Sequence, residues 1–270
     1  MTEEQNETST APAGKAPAGT TTPVVNSLDL NDILEILAAG LRDFRAAPRY
    51  GLFFGGVFAF GGWFLILLLL YFDLPFLVYP LAAGFALIAP FLASGFYVVS
   101  QRLEDGQELN WRVVFGSVRS MFGRDLAWMA LVTGFSLFIW MDIAALLTFG
   151  FVGFRLIDFS ELITTIFTTP KGWLFLLVGN LTGAIIAFAV FSYSVVSMPM
   201  LFHRDIDFVT AMITSVRTVS RNPRTMAVWC MIVAVLTGIS LLSGLIGLIV
   251  TLPVLGHATW HLYRRAVEPA

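Results

Sequence analysis

From Phe208 to Arg224 the apolar residues Val209, Met212, Ile213, Val216 and Val219 fall at helical spacing, and Thr210, Thr214, Arg217 and Arg221 lie off that face. This period predicts an amphipathic helix, and the proline, arginine and apolar run behind it predict a helix lying on a membrane before the chain enters. The same order occurs twice earlier. Asp29 to Arg45 aligns Leu30, Ile33, Leu34, Leu37, Leu41 and Phe44, and Pro48 ends that helix, because a residue before proline is pushed out of helical geometry. Trp111, Val114, Phe115, Val118, Met121 and Phe122 make the other face, with Arg112 and Arg119 off it. Gly40-Leu41-Arg42 to Pro48-Arg49 also aligns without gaps on Ser215-Val216-Arg217 to Pro223-Arg224, the signature of an internal duplication.

Long apolar runs follow each of these segments. Tyr50 to Phe72 carries no charge, and its length crosses a hydrocarbon core of about 30 Å at about 1.5 Å per residue. Runs at 50–72, 76–100, 126–149, 172–200, 226–242 and 245–263 predict six spans. The expected fold is all-α: a polytopic membrane protein with six transmembrane helices in three hairpins, each preceded by an amphipathic interfacial helix. Turns at Asp73-Pro75 and Ser243-Gly244 close two of the hairpins. Asp158 to Thr169, with Asp158 and Glu161 at capping-box spacing and Pro170 behind, predicts a short helix on the opposite membrane surface. Residues 1–27, rich in Thr, Ala, Pro, Gly and Glu, have no apolar core for a signal peptide. They read as a disordered cytoplasmic tail before a six-span domain at 28–267.

Composition supports the membrane reading: 57 % of residues are apolar and 13 % charged, where soluble chains carry roughly a quarter charged. A net charge of -2 argues against nucleic acid, whose phosphates require a basic surplus. The single cysteine, Cys230, excludes an intrachain disulfide and a thiolate metal cluster. Of the sixteen basic residues, all but Arg155 and Lys171 fall on one side of the predicted spans. Basic loops stay in the cytoplasm, so both termini are expected there.

Few residues carry candidate chemistry. Pro90, Pro199 and Pro253 put a proline in each even-numbered span, and a proline frees a carbonyl that a neighbour, water or a ligand cavity must satisfy. His257 and His261 share one helix face, the spacing that lets two imidazoles hold a metal or haem, but the chain offers only His203 besides. The alternative reading has His257 bonding across helices while Trp260, His261, Tyr263 and Arg264 anchor the span at the interface. Asp142 is a lone carboxylate in an apolar run, and Asn180 comes to a similar depth; an Asp142 to Asn180 hydrogen bond is favoured over a proton relay. Phosphate-loop and activated-nucleophile motifs are absent, so no enzyme, catalytic residue, resident metal or cofactor is expected.

At APFLASGFYVVSQRLEDGQ and at LPVLGHATWHLYRRAV the chain resembles a bacterial family of predicted integral membrane proteins, domain of unknown function 2189. The resemblance runs from about Asp29 to Val267 and implies a six-helix inner-membrane protein without an established activity. Some relatives carry the label cytochrome c oxidase subunit I. The haems and copper of that subunit need more histidines than the three present here, so the label is not supported. The expected function is therefore non-enzymatic binding of a lipid or partner protein. A small-solute transporter is the alternative, and a haem- or metal-associated accessory to a respiratory complex comes third.

Overall fold

The computed structural model describes residues 23–72, 78–120, 124–153 and 159–268, without the side chains of 69, 72, 78–88, 90, 124 and 159–163. In chain order the helices are α1 (Leu30–Ala46), α2 (Pro48–Phe72), α3 (Val78–Glu104), α4 (Trp111–Ser120), α5 (Arg124–Val152), α6 (Phe159–Thr168), α7 (Pro170–Ser194), α8 (Ser197–His203), α9 (Phe208–Arg221), α10 (Pro223–Leu242) and α11 (Leu248–Ala266). The Asp73-Pro75 turn, the Asp158 to Glu161 cap and the side chain of Pro90 lie outside the described residues.

Local chemistry sets the helix boundaries. Pro48, Pro170 and Pro223 each open a helix, at the position whose N–H would have no intrahelical partner. The residues before the first and last of these, Ala47 (φ −134°, ψ 55°) and Asn222 (φ −123°, ψ 51°), share one backbone conformation. The two aligned segments therefore end in the same bend. Asp207 caps α9 by accepting from the Thr210 N–H at 2.9 Å, and Thr169 caps α7 by accepting from the Gly172 N–H at 3.0 Å.

Four helical stretches among the described residues are long and apolar enough to cross a membrane: Pro48–Leu68, Asp125–Val152, Pro170–His203 and Pro223–Leu242. This corrects the expectation of six spans in three hairpins. The predicted run at 245–263 fails on composition: α11 carries His257, His261, Arg264 and Arg265 in its second half. The predicted run at 76–100 falls in α3, where only the part from Phe91 onward has an unbroken run of described side chains. The third stretch joins α7 to α8 through a break at Val195 and Val196. Ser215 of α9 holds that break open, donating to the Ser192 carbonyl at 2.8 Å and accepting from the Val196 N–H at 3.1 Å.

Buried residues gather at one end of the molecule. They include Tyr50 and Phe54 at the start of α2, Phe96 to Val99 at the end of α3, Met129 early in α5, Met200 in α8, Trp229 early in α10 and Trp260, Leu262 and Tyr263 late in α11. Away from that end the spans present apolar side chains to their surroundings, such as Phe64 and Leu70 on α2, Leu146 on α5, Leu177 on α7 and Ile239 on α10. Residues 23–27, placed by the sequence in a disordered tail, close the packed end as an extended segment. Val25 pairs antiparallel with Val267, and the Asn222 amide accepts from the Leu28 N–H at 2.7 Å while donating to the Asn26 carbonyl at 3.0 Å.

Helix α11 runs back along α2 at the centre of this packing. A Cβ at Gly40 of α1 would stand 2.6 Å from the Ala258 nitrogen, and one at Gly55 of α2 would stand 2.7 Å from the Ile249 carbonyl oxygen. Pro253 cannot bond the carbonyl four residues back, which is Ile249, and the bare backbone of Gly55 closes over that oxygen.

Candidate functional site

The residues singled out in the sequence do not converge on one place. Asp142 is exposed on α5 and has no hydrogen-bond or ion partner among the described residues. Asn180 is exposed on α7 and donates to the Leu176 carbonyl of its own helix at 2.7 Å, so the pairing of Asp142 with Asn180 is not made. Asn180 does line a cavity of about 240 Å³ between α5 and α7, with Trp140 and Phe175. Pro199 is buried in the first turn of α8, just past the break, and Pro253 is buried against α2. Neither lines the cavity beside Asn180.

His257 and His261 belong to a polar chain joining three helices. The His261 Nε2–H donates to Asp43 Oδ2 at 2.7 Å, and the Ser100 hydroxyl donates to the same oxygen at 2.7 Å. Ser100 Oγ also lies 2.8 Å from His257 Nδ1. With its one proton given to Asp43, the Ser100 oxygen accepts from His257 Nδ1–H, which assigns the tautomer. His257 is 0 % exposed, the Phe96 ring packs edge-on against it, and its Nε2 has no partner among the described residues. Burial works against the charged form of Asp43, but the hydrogen bonds from His261 and Ser100 outweigh it and hold the carboxyl below the ordinary carboxylate value.

The two imidazoles are thus bridged through Ser100 and Asp43 instead of facing a shared point. Among the described residues no three His, Cys, Asp or Glu side chains are grouped as a metal ion requires. Sequence reasoning missed Asp43 and Ser100. A signal was present: Ile36, Gly40 and Asp43 are spaced as one helical stripe, so a carboxylate stood on the face that α1 buries.

The neighbouring residues of α11 are also taken up by the protein. Trp260 Nε1–H donates to Glu104 at 2.9 Å, Arg264 donates to the same carboxylate at 3.0 Å, and Arg265 reaches Asp32 and Glu35. Arg204 Nε–H donates to the Tyr263 hydroxyl at 2.9 Å, and that oxygen lies 2.8 Å from His203 Nδ1. Trp260 and Tyr263 are therefore interior residues, not the interfacial anchors expected. Beside the network a cavity of about 600 Å³ opens between α1 and α11, walled by Ile36, Ala39, Arg42, His261 and Arg265.

Residues 78–203, from α3 to α8, match a family described as predicted integral membrane protein. The chain matches the DUF2189 family. It is an integral membrane protein of unknown function, and no catalytic or cofactor-binding residue is in evidence among the described residues. The family match includes Ser100, Asp142, Asn180 and Pro199. It leaves out α1, α2 and α9 to α11, so the GHATWHLYRR segment and the wider resemblance over 29–267 are not what carries it. No curated protein and no solved structure matches the chain.

Proposed function

We propose that this DUF2189 protein is a non-enzymatic lipid-binding protein of the bacterial inner membrane, its packed end and both termini facing the cytoplasm. The division of its arginines supports this reading. Arg204, Arg264 and Arg265 are spent inside the protein on Tyr263, Glu104, Asp32 and Glu35. Arg42 and Arg45 on α1, Arg112 and Arg119 on α4, and Arg217 and Arg221 on α9 are exposed, with no carboxylate partner among the described residues. On the same three helices Leu34, Phe115, Val209 and Ile213 are exposed large apolar residues. A helix with an exposed apolar stripe and unpaired arginines rests at the level of lipid headgroups, where each basic side chain gains about 1 kcal/mol near an anionic leaflet.

The test is native mass spectrometry of the full chain released from a mild detergent. Retained phospholipid is the expected result. A chain that emerges bare overturns the reading, and one that carries a stoichiometric protein instead replaces it with partner binding. Orientation is checked separately: in a Cys230→Ser background, a cysteine at exposed Ser220 should resist an impermeant maleimide in intact cells, and rapid labelling from outside would reverse the topology.

A further inference from the structure

Helix α9 buries an unusual face. Ala211, Thr214, Ser215, Thr218 and Val219 point into the protein, so small and hydroxyl-bearing residues do the packing and the large apolar ones are left outside. The exposed face carries Val209, Ile213, Arg217 and Arg221 at successive four-residue steps, with Val216 beside them. Side chains four apart stack along one line of a helix, so the line is apolar over its first half and cationic over its second.

Two cavities follow the same division. One, of about 400 Å³, lies between α5 and α9 and is walled by Val132, Phe208, Met212, Ile213, Val216 and Arg217. The other, of about 470 Å³, is walled by Val24, Val25, Ser220, Arg221 and again Arg217. Arg217 is the residue common to both. The apolar cavity opens on the Asp125–Val152 stretch, itself a candidate span, and Trp128 near its start stacks on Phe208 with ring centroids 6.0 Å apart. Indole rings prefer the headgroup boundary, so this groove sits where a bilayer passes from tails to phosphates.

We propose that the α5–α9 groove is a binding site for one anionic phospholipid, an acyl chain lying against Val132, Met212 and Ile213 and the phosphodiester resting on Arg217 and Arg221. The proposal rests on the lipid-binding reading above and names the lipid class and the site. An occupant must be apolar at one end and anionic at the other, as the groove is apolar at one end and cationic at the other. Neither arginine is ion-paired with a carboxylate among the described residues, and Asp207 is engaged as the α9 cap, ten residues before Arg217, held there by its hydrogen bonds with Thr210. Arginine also suits a phosphodiester geometrically, since its planar fork can donate two parallel hydrogen bonds.

The experiment uses the full chain in nanodiscs of mixed phosphatidylglycerol and phosphatidylcholine, with bound lipid counted by native mass spectrometry. Wild type should retain phosphatidylglycerol in preference to phosphatidylcholine. Loss of one exposed arginine contact should weaken retention roughly fivefold, so Arg217→Ala with Arg221→Ala should weaken it on the order of thirtyfold. Lys171→Ala, removing an exposed positive charge from the first turn of α7, should leave it unchanged. Met212→Trp, which fills the groove and keeps both arginines, should also displace the lipid. Unchanged thermal unfolding of the arginine variant shows that it remains folded. Retention of phosphatidylglycerol that is indifferent to both α9 substitutions overturns this site while the lipid-binding role stands. Equal retention of the two lipids overturns the role of charge, and displacement by inorganic phosphate alone overturns the lipid as occupant. A wild-type chain that holds no lipid removes the general reading and this one together.

Discussion

Along the apolar stretch of α7 no residue is buried, whereas α11 buries nine, among them His257, Trp260 and Tyr263. Their polar groups differ in the same way. On α7 the Asn180 amide and the Ser192 hydroxyl bond back to Leu176 and Phe188 of their own helix. On α11, His257, Trp260 and His261 bond outward to Ser100, Glu104 and Asp43 on other helices. A lipid-facing helix must satisfy itself, since hydrocarbon offers no partner. A helix surrounded by protein can carry donors and acceptors along its length, provided each meets a counterpart. The sequence reading took both as spans because both contain long apolar runs. What separates them is their surroundings.

The largest expected effect follows from how closely α11 is held. Gly40→Ala puts a methyl group 2.6 Å from the Ala258 nitrogen and 2.7 Å from the Val254 carbonyl oxygen, and backbone atoms cannot rotate away as a side chain could. The helices must separate, at a cost of about 3 kcal/mol or more. Gly179→Ala on α7 meets nothing within 4 Å and should be neutral or slightly stabilising. Thermal unfolding of the two variants in the same detergent measures the difference directly. Equal melting temperatures would show that α11 is no more tightly enclosed than α7.

A smaller effect is expected from the polar network. Asp43→Asn keeps the shape of the side chain and can set its carbonyl where Oδ2 stood, but it gives Ser100 and His261 a neutral acceptor in place of a charged one. The expected loss is about 2 kcal/mol. The pH dependence has a definite sign. The folded-state pKa of Asp43 is lowered, so its stabilisation is complete above the ordinary carboxylate value of about 3.9 and is lost as pH falls through the lower folded value. Wild type should therefore exceed the variant in unfolding midpoint by a constant margin from neutral pH to about pH 4, and the margin should close only in stronger acid. A margin that vanished between pH 6 and 7 would assign the linkage to a histidine instead.

How far the sequence carried these features depends on the range over which they act. The amphipathic segments became α1, α4 and α9, and the first of them ends before Pro48 as expected, because caps and prolines act on their own neighbours. The exposed stripe on α9 was visible only in part: the sequence set Arg217 and Arg221 off the apolar face, whereas the structure aligns them with Val209 and Ile213 and buries Thr214 and Val219. The pairing of Asp43 with His261 crosses 218 residues, and only a packed structure brings them together. Pro253 was visible as a break in hydrogen bonding, but the backbone that packs against the freed Ile249 carbonyl, at Gly55, sits on another helix and has no side chain to mark it. Helix α11 was taken for a span because hydropathy averages over a helix, while Arg264, Arg265 and the histidines are concentrated in its second half.

Asp142→Asn should have the smallest effect of all, and its smallness is informative. Asp142 lies in α5 within a stretch fit to cross the membrane, exposed and without a partner among the described residues. If it served the fold as His257 and Asp43 do, its carboxylate would have found a donor on a neighbouring helix. Asparagine removes the charge while keeping the volume, so the change in stability should stay within about 0.5 kcal/mol, as for substitutions away from any network. The direction should be toward greater stability, because a carboxylate facing hydrocarbon costs more than an amide. Unfolding in detergent and again in a bilayer provides the check. A loss above about 1 kcal/mol in the bilayer alone would mean that Asp142 is paired there with a group outside this chain, and the contrast between a self-sufficient lipid-facing surface and a cross-linked interior would then fail at that residue.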